Sequence, residues 1–266
     1  MTATESKFQK DRKLLMTLAR NDFKAKFAGS YLGVIWAFVQ PLVTVFIYWF
    51  VFGVALKASN GSGYPYIVWI VAGLVPWFYF SDAWNAGTSA MVSYDYLVKK
   101  VVFNINILPM VKLVSTLFIN LFFLLIGFVL SCLYGFVPGL HTLQIFYYLA
   151  GLILLVIGLV YFTAAVAVFF RDMIQIVGIA LQIGIWATPI MWNCGETLAA
   201  WPWLIRLFKL NPMYYIVDGY RDALLTGTWF FEKGWWTLYF WCFTLGMLWI
   251  GTRVFKKLKV HFADVL

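Results

Sequence analysis

The side chains in this sequence that could bind a metal or perform catalysis are few and scattered. Cys132, Cys194 and Cys242 lack CxxC spacing, and His141 has no second metal ligand close to it in sequence. No GxxxxGK[ST] phosphate loop, GxSxG motif or HExxH zinc motif occurs. The sequence therefore predicts no metal site, no bound cofactor and neither nucleotide hydrolysis nor nucleophilic catalysis by this chain alone.

Charged side chains within apolar stretches are more informative. Asp82 lies in the apolar stretch 64–91, and an ionisable residue inside a membrane span is a functional-site candidate. A position near the interface, or a hydrogen bond to a neighbouring helix, would also explain it. A second stretch, 197–225, carries five charges: Arg206, Lys209, Asp218, Arg221 and Asp222. As a single spanning helix it would place them in lipid at about 2.5–3.5 kcal/mol each near the centre. That arrangement is excluded on cost.

Asn211-Pro212 divides this stretch into two halves of 13 residues, each about 20 Å long as a helix. Neither half can cross about 30 Å of hydrocarbon, and proline disfavours helix at the residue before it. We predict two re-entrant half-helices that enter the membrane and return to the same side, with Asn211, Pro212, Asp218 and Arg221 as candidates for an external gate. A partly buried surface hairpin is the alternative.

Composition sets the class of protein. Hydrophobic residues make up 63% of the chain and charged residues only 12%, against about 25% charged in soluble domains. We predict one all-α polytopic membrane domain over residues 1–266, with six transmembrane helices. An amphipathic interface helix over 6–28 precedes them, with a plain positive-inside anchor as the alternative. The predicted spans are 31–56, 64–91, 105–136, 143–170, 173–192 and 235–252.

Charge distribution predicts the orientation. With the amino terminus inside and 197–225 re-entrant, both termini are cytoplasmic and most of the 20 Lys and Arg residues lie inside. The net charge of +9 sits at the ends of apolar stretches, where it meets anionic lipid headgroups, so nucleic acid is excluded as a partner. The basic first 29 residues have no apolar core, so no cleavable signal peptide is expected.

The segment 92–104 suits docking onto another protein, or is a plain connecting turn.

The ordered motifs of the chain resemble the ABC-2-type permeases that export lipid-linked cell-surface polysaccharides: O-antigen, capsule and teichoic acid exporters. The resemblance covers nearly the whole chain. It is carried by Arg20, Asp22, Phe27, Ser30, Leu32-Gly33, Trp36, Pro41, Gly73-Leu74, Trp77, Phe80, Leu97, Lys99-Lys100, Ile107-Leu108-Pro109, Phe170-Arg171-Asp172, Thr188-Pro189-Ile190, Asn211-Pro212-Met213, Tyr220-Arg221 and Phe262-Ala263-Asp264.

The resemblance implies a multi-pass protein of the bacterial cytoplasmic membrane and a homodimer that binds two copies of a cytoplasmic ATPase, which holds the ATP and magnesium. ATPase docking is then expected at Tyr94, Asp95, Leu97, Lys99, Lys100, Arg171 and Asp172. The pyrophosphate of the lipid-linked glycan is expected near Arg20, Lys24 and Lys26, for which anionic membrane lipids compete.

Sugars stack on aromatic rings, so a pathway belt is expected from Trp36, Tyr48, Trp77, Tyr79, Trp186 and Trp192. A structural role for any one ring is the alternative, since aromatic residues also anchor membrane proteins at the interface. Three other functions fit the same composition: an ABC-2 exporter of a drug, haem or another lipid, a gradient-driven carrier, and a membrane-embedded transferase.

Overall fold

The computed structural model describes residues 7–58, 63–96 and 104–265, and these ranges form helices without any strand. In chain order the helices are α1 Lys7–Ala25, α2 Trp36–Tyr48, α3 Tyr66–Thr88, α4 Ala90–Ser93, α5 Ile107–Leu133, α6 Gln144–Phe169, α7 Met173–Ala187, α8 Cys194–Thr197, α9 Pro202–Lys209, α10 Pro212–Arg221, α11 Trp235–Leu258 and α12 Phe262–Val265. A 3-10 turn, Gly33–Ile35, leads into α2, and π-helical turns Trp49–Ala55 and Asp222–Thr226 continue α2 and α10.

Five helical segments of the described chain are long and apolar enough to cross a membrane: Gly33–Ala55, Tyr66–Thr88, Ile107–Leu133, Leu140–Phe169 and Trp235–His261. Together with the shorter apolar α7, they confirm an all-α polytopic membrane protein. The segment predicted to span over 173–192 is helical only to Ala187, about 22 Å at 1.5 Å per residue. It ends there because Thr188, the residue before Pro189, adopts an extended conformation at φ −102° and ψ 120°.

The helix α3 lies at the centre of the bundle. It is buried along most of its length and packs against α5, α6, α7 and α10. The Thr88 and Thr163 hydroxyls join α3 to α6 at 2.7 Å, and the Asn120 side chain of α5 donates to the Val75 carbonyl at 2.9 Å. A helix enclosed by protein on all sides can be apolar all round, which explains the absence of a distinct polar face in this stretch.

A close helix crossing joins α6 to α11 through two glycines. A Cβ atom added at Gly251 would lie 2.1 Å from the Gly158 carbonyl oxygen, and one added at Gly158 would lie 2.7 Å from the Leu248 nitrogen. Small residues allow this backbone approach, which is how many helices associate where lipid supplies no hydrophobic driving force.

The half-helices are shorter than predicted. The first begins at Pro202 rather than at residue 197, because Trp201 precedes a proline and leaves the helical conformation, with φ −132° and ψ 67°. The second, α10, is mostly buried. It packs on the beginnings of three spanning helices, through Gly73 of α3, Tyr148 of α6 and Phe240 of α11. Those beginnings lie at one end of the bundle, here called the half-helix end, so α9 and α10 do not cross it.

The two ends of the described chain both lie at the opposite end of the bundle, here called the α1 end. Phe262 of α12 packs on Phe255 and Phe169, the closing residues of α11 and α6. The apolar side of α1 lies on the first turns of α5, where Ala19 is buried with Ile107 and Val111. The predicted interface helix therefore covers protein as well as facing outward.

Candidate functional site

A cavity of about 160 Å³ opens at the α1 end between the residues that follow α1 and the helices α2, α3 and α5. We call it the α1-end cavity. It contains three of the predicted pathway and pyrophosphate residues, Lys26, Trp36 and Tyr79, and adds Asp82 and Asn120. The Asp82 side chain is exposed where it lines the cavity, and Lys26 lines the same cavity. The cavity therefore combines aromatic rings with one positive and one negative charge.

The other two pyrophosphate candidates lie outside this cavity. Arg20 and Lys24 are exposed on α1, and neither lines the cavity. Lys26 is also exposed, with its amine 5.8 Å from the centre of the Phe27 ring. Of the three cations, the fold brings only Lys26 to the pathway candidates.

A polar node on α1 lies beside this cavity. The Asp22 carboxylate accepts hydrogen bonds from the Lys112 amine at 2.5 Å, the Tyr94 hydroxyl at 2.6 Å and the Ser115 hydroxyl at 2.8 Å. Burial raises the pKa of the Asp22 carboxyl, but the bonds from these three donors outweigh burial and lower the pKa below its ordinary value. Asp22 therefore stays ionised and joins α1 to α5 and to the segment after α4.

Lys112, near the start of α5, is the cation of this polar node. Its amine is paired with Asp22, and both side chains are largely buried, at 16% and 13% exposed. The partners stand 90 positions apart, so no local pattern joins them. The helix α1 carries two acids among its basic residues, Asp11 and Asp22, and its sequence alone does not show which of them pairs with Lys112.

The predicted ATPase-docking residues fall into three groups. Tyr94 binds Asp22, and the Asp95 carboxylate accepts from the Tyr96 amide at 2.6 Å. Arg171 and Asp172 are exposed in the turn between α6 and α7, at the same α1 end. The remaining three, Leu97, Lys99 and Lys100, lie outside the described residues.

The external-gate candidates do gather at the half-helix end. Asn211 caps α10, because its side-chain oxygen accepts from the Met213 amide at 3.0 Å, and its amide group donates to the Thr188 hydroxyl at 2.8 Å. Pro212 occupies the first helical position, where no N–H is needed. The Asn-Pro pair therefore both starts α10 and ties it to the extended residue that ends α7.

The charge pairing of this cluster does not follow the spacing of its residues along the helix. Asp218 and Arg221 have the i,i+3 spacing that favours an ion pair on one helix. Lys233 instead forms the ion pairs, with Asp218 at 2.6 Å and with Asp222 at 2.5 Å. Within the described chain Arg221 forms no ion pair with Asp218. Its guanidinium lies 3.5 Å from the centre of the Trp69 ring and donates to the Ile190 carbonyl at 2.8 Å. Arg221 faces α3 because α10 turns that side toward the bundle.

The six predicted pathway aromatics do not form one belt in the single chain. Trp77 and Tyr79 are buried at 4% and 2% exposure, and Trp77 lies against Gly184 of α7. Trp36 and Trp186 are exposed at 43% and 55%. The last two, Tyr48 and Trp192, are partly buried, and the Trp192 indole donates to the Trp186 carbonyl at 3.3 Å.

No group of three or more His, Cys, Asp or Glu side chains that could hold a metal ion occurs in the described ranges. An ionisable residue within a spanning helix, as Asp82 is in α3, marks a candidate functional site in a membrane protein. Comparison with known proteins identifies the family of transport proteins to which the chain belongs. Residues 13–225 match the family model described as ABC-2 type transporter, which is most of the chain. The chain belongs to the ABC-2 type transporter family, as a transport subunit rather than an enzyme.

Similar proteins narrow the relationship further. The chain is 26% identical over 260 residues to the O-antigen export system permease protein RfbA of Klebsiella pneumoniae, and the match covers 95% of both chains. A second permease of that name from the same organism is 25% identical over 262 residues, again with 95% of both covered. The permease RfbA of Myxococcus xanthus is 30% identical over 210 residues, 79% of each chain.

Proposed function

We propose that this chain is the permease subunit of an ATP-driven ABC transporter that exports lipid-linked polysaccharide of the O-antigen class. The observation that carries the proposal is sequence similarity over 95% of the length of O-antigen export permeases. Drug, haem and other lipid exporters of the same superfamily have no such support among these relatives.

The energy comes from a separate cytoplasmic ATPase bound in two copies to a homodimer of this chain. The sequence has no nucleotide-binding motif of its own, so ATP and magnesium belong to that partner. The Tyr94 segment and the Arg171-Asp172 turn form the docking surface. The three hydrogen bonds to Asp22 support this role, because they connect the docking segment directly to α1 and α5. Movement of the docking segment is thereby transmitted to the helices that wall the α1-end cavity.

The α1 end faces the cytoplasm of a bacterium, and the protein resides in the cytoplasmic membrane. The basic residues of α1 and the closing turns of α11, with Lys256 and Lys257, support this orientation under the positive-inside rule. The lipid-linked glycan enters from the inner leaflet past Arg20, Lys24 and Lys26 and moves through a channel between two protomers. Exposed Trp36 and Trp186 are suited to face that channel.

Co-expression in cells that lack the exporter tests the proposal. The chain and the ATPase encoded beside it are expressed together in cells that synthesise the glycan but lack the exporter. We expect the ATPase to co-purify and the glycan to reach the cell surface. An ATPase variant that lacks the lysine of its phosphate loop is the matched control and should bind without supporting export. Failure to capture the ATPase would refute the ABC assignment. Capture of the ATPase without glycan export would instead favour a drug, haem or lipid exporter.

A further inference from the structure

The α1-end cavity contains polar groups that the protein itself leaves without hydrogen bonds. Among the described residues, neither the Asp82 carboxylate nor the Tyr79 hydroxyl has a hydrogen-bond partner, and the Gln40 side chain has none either. Asn120 is 2% exposed; its amide nitrogen donates to Val75, but its side-chain oxygen has no partner. Unpaired polar groups away from bulk water cost free energy, so a ligand that pairs with them is favoured.

The walls between these polar groups are aromatic. Trp36, Phe78 and Tyr79 line the cavity together with Phe123. Trp36 is 43% exposed, so part of its ring is open to a ligand. Aromatic rings offer apolar faces, and the polar groups between them offer both donors and acceptors. A ligand with an apolar ring face and several hydroxyl groups at its edge satisfies both requirements.

The charge of the cavity excludes a strongly anionic ligand. The lining carries one basic side chain, Lys26, and one acidic side chain, Asp82, so its formal charges cancel. A pyrophosphate bound here would lie beside the Asp82 carboxylate and be repelled by it, with no second cation among the described lining residues. The cavity volume of about 160 Å³ is also below the roughly 300–1,000 Å³ of sites for drug-sized ligands, which suits a single ring.

We infer that the α1-end cavity is a binding site for one neutral sugar ring, with Asp82, Gln40 and Tyr79 as hydrogen-bonding partners and Trp36 as the stacking surface. If the proposed function holds, this ring belongs to the exported glycan, and the site selects the sugar portion of the substrate. Its charged pyrophosphate then lies outside the cavity, near exposed Arg20 and Lys24. Asp82 thereby has a role that requires no proton coupling.

A cysteine-protection experiment tests the inference. Cys132, Cys194 and Cys242 are replaced, and Thr44→Cys is introduced on the α2 wall of the cavity. Ser30→Cys is the matched control, since Ser30 is exposed near the same end but does not line the cavity. The purified protein, alone and with its ATPase, is labelled with a maleimide in the presence of glucose, galactose, mannose, N-acetylglucosamine or pyrophosphate.

We expect at least one neutral sugar to slow labelling of Thr44→Cys several-fold without affecting Ser30→Cys, and pyrophosphate to have no effect. Asp82→Leu should raise the sugar concentration needed for protection about tenfold, because it removes a charge-assisted hydrogen bond, whereas Asp82→Asn should raise it less. Protection by pyrophosphate alone, or by no neutral sugar, would overturn the inference. Since the isolated permease is tested as well, sugar protection without ATPase capture would refute the proposed function and keep the site.

Discussion

The charge cluster at the half-helix end and the α1-end cavity hold their charged side chains in opposite ways. At the half-helix end, one lysine, Lys233, is shared by Asp218 and Asp222, and the Arg221 guanidinium stacks on Trp69. At the α1-end cavity, Asp82 has no hydrogen-bond partner among the described residues and faces open space. Charges that are paired within the protein hold helices together, whereas charges left unpaired at a cavity are available to a ligand. We therefore assign a stabilising role to the half-helix charge cluster and a binding role to the α1-end cavity.

The largest expected effect comes from Lys233→Met at the half-helix end. Asp218 and Asp222 would then lose the cation between them, and Asp222, only 10% exposed, would be a buried charge without a counterion. We expect a loss of stability of about 3–5 kcal/mol, measured as a lower midpoint of thermal unfolding in detergent. Arg206→Met, which removes an exposed cation from α9, is the control and should change little. Equal effects of the two substitutions would break the comparison.

Asp22→Asn should have the next largest effect, at the node beside the cavity. It leaves the largely buried Lys112 without its counterion and weakens two further bonds, for an expected loss of about 1.5–3 kcal/mol. Because the pKa of Asp22 is lowered in the folded protein, this contribution is complete above about pH 5. It is lost only as the pH falls through the lowered, folded-state pKa.

The same substitution should also weaken the coupling between ATPase binding and glycan export. Asp22→Asn should reduce glycan export more than it reduces the amount of ATPase bound, since Tyr94 would lose its ionised acceptor. Tyr94→Phe removes one donor and keeps the ring, and it should reproduce part of the effect. If both variants kept wild-type export and stability, the hydrogen bonds to Asp22 would not transmit movement from the docking segment to the cavity.

Arg221→Lys separates stacking from charge at the half-helix end. The substitution keeps a cation but loses the planar group that lies over Trp69 and the present hydrogen bond to the Ile190 carbonyl. We expect a loss of about 1–2 kcal/mol in thermal or denaturant unfolding. Trp69→Leu should cause a loss that is not additive with it. Additive losses would show that the two side chains act independently.

Asp82→Asn should have the smallest effect on stability, and it sharpens the comparison most. Since the carboxylate has no hydrogen bond to lose among the described residues, neutralising it should change the unfolding midpoint by less than the equivalent of about 1 kcal/mol, or raise it. Export, assayed as surface glycan, should fall but persist. A gradient-driven carrier that uses Asp82 to carry protons would lose transport completely. A large loss of stability would instead make Asp82 a structural residue.

Much of the fold could be predicted because it follows from local sequence. The spans are continuous apolar stretches, and the half-helices follow from one Asn-Pro step and the cost of charge in lipid. The boundary errors arose at prolines. Thr188 and Trp201 each precede a proline and leave the helical conformation. The helices predicted over 173–192 and 197–209 are therefore shorter in the structure than expected.

The candidate sites were less predictable, since side chains in a membrane span are apolar whether they face lipid or protein. Trp77 and Trp186 have the same chemistry and a similar sequence environment, yet one is 4% exposed and the other 55%. Hydropathy therefore could not distinguish the aromatic side chains that are buried in the bundle from those exposed on its surface. The pairing of Lys233 with two acids and of Lys112 with Asp22 was equally hidden, because each pair joins separate elements.

The sequence by itself determined that this protein is an all-helical membrane protein, because its composition indicates a lipid surrounding and short-range signals set the limits of the helices. Only the tertiary structure decided which charges are paired and which face a cavity. The α1-end cavity is built from residues that follow α1 and from three further helices. Their convergence depends on how the helices pack, and that packing is set by the whole bundle rather than by any single stretch.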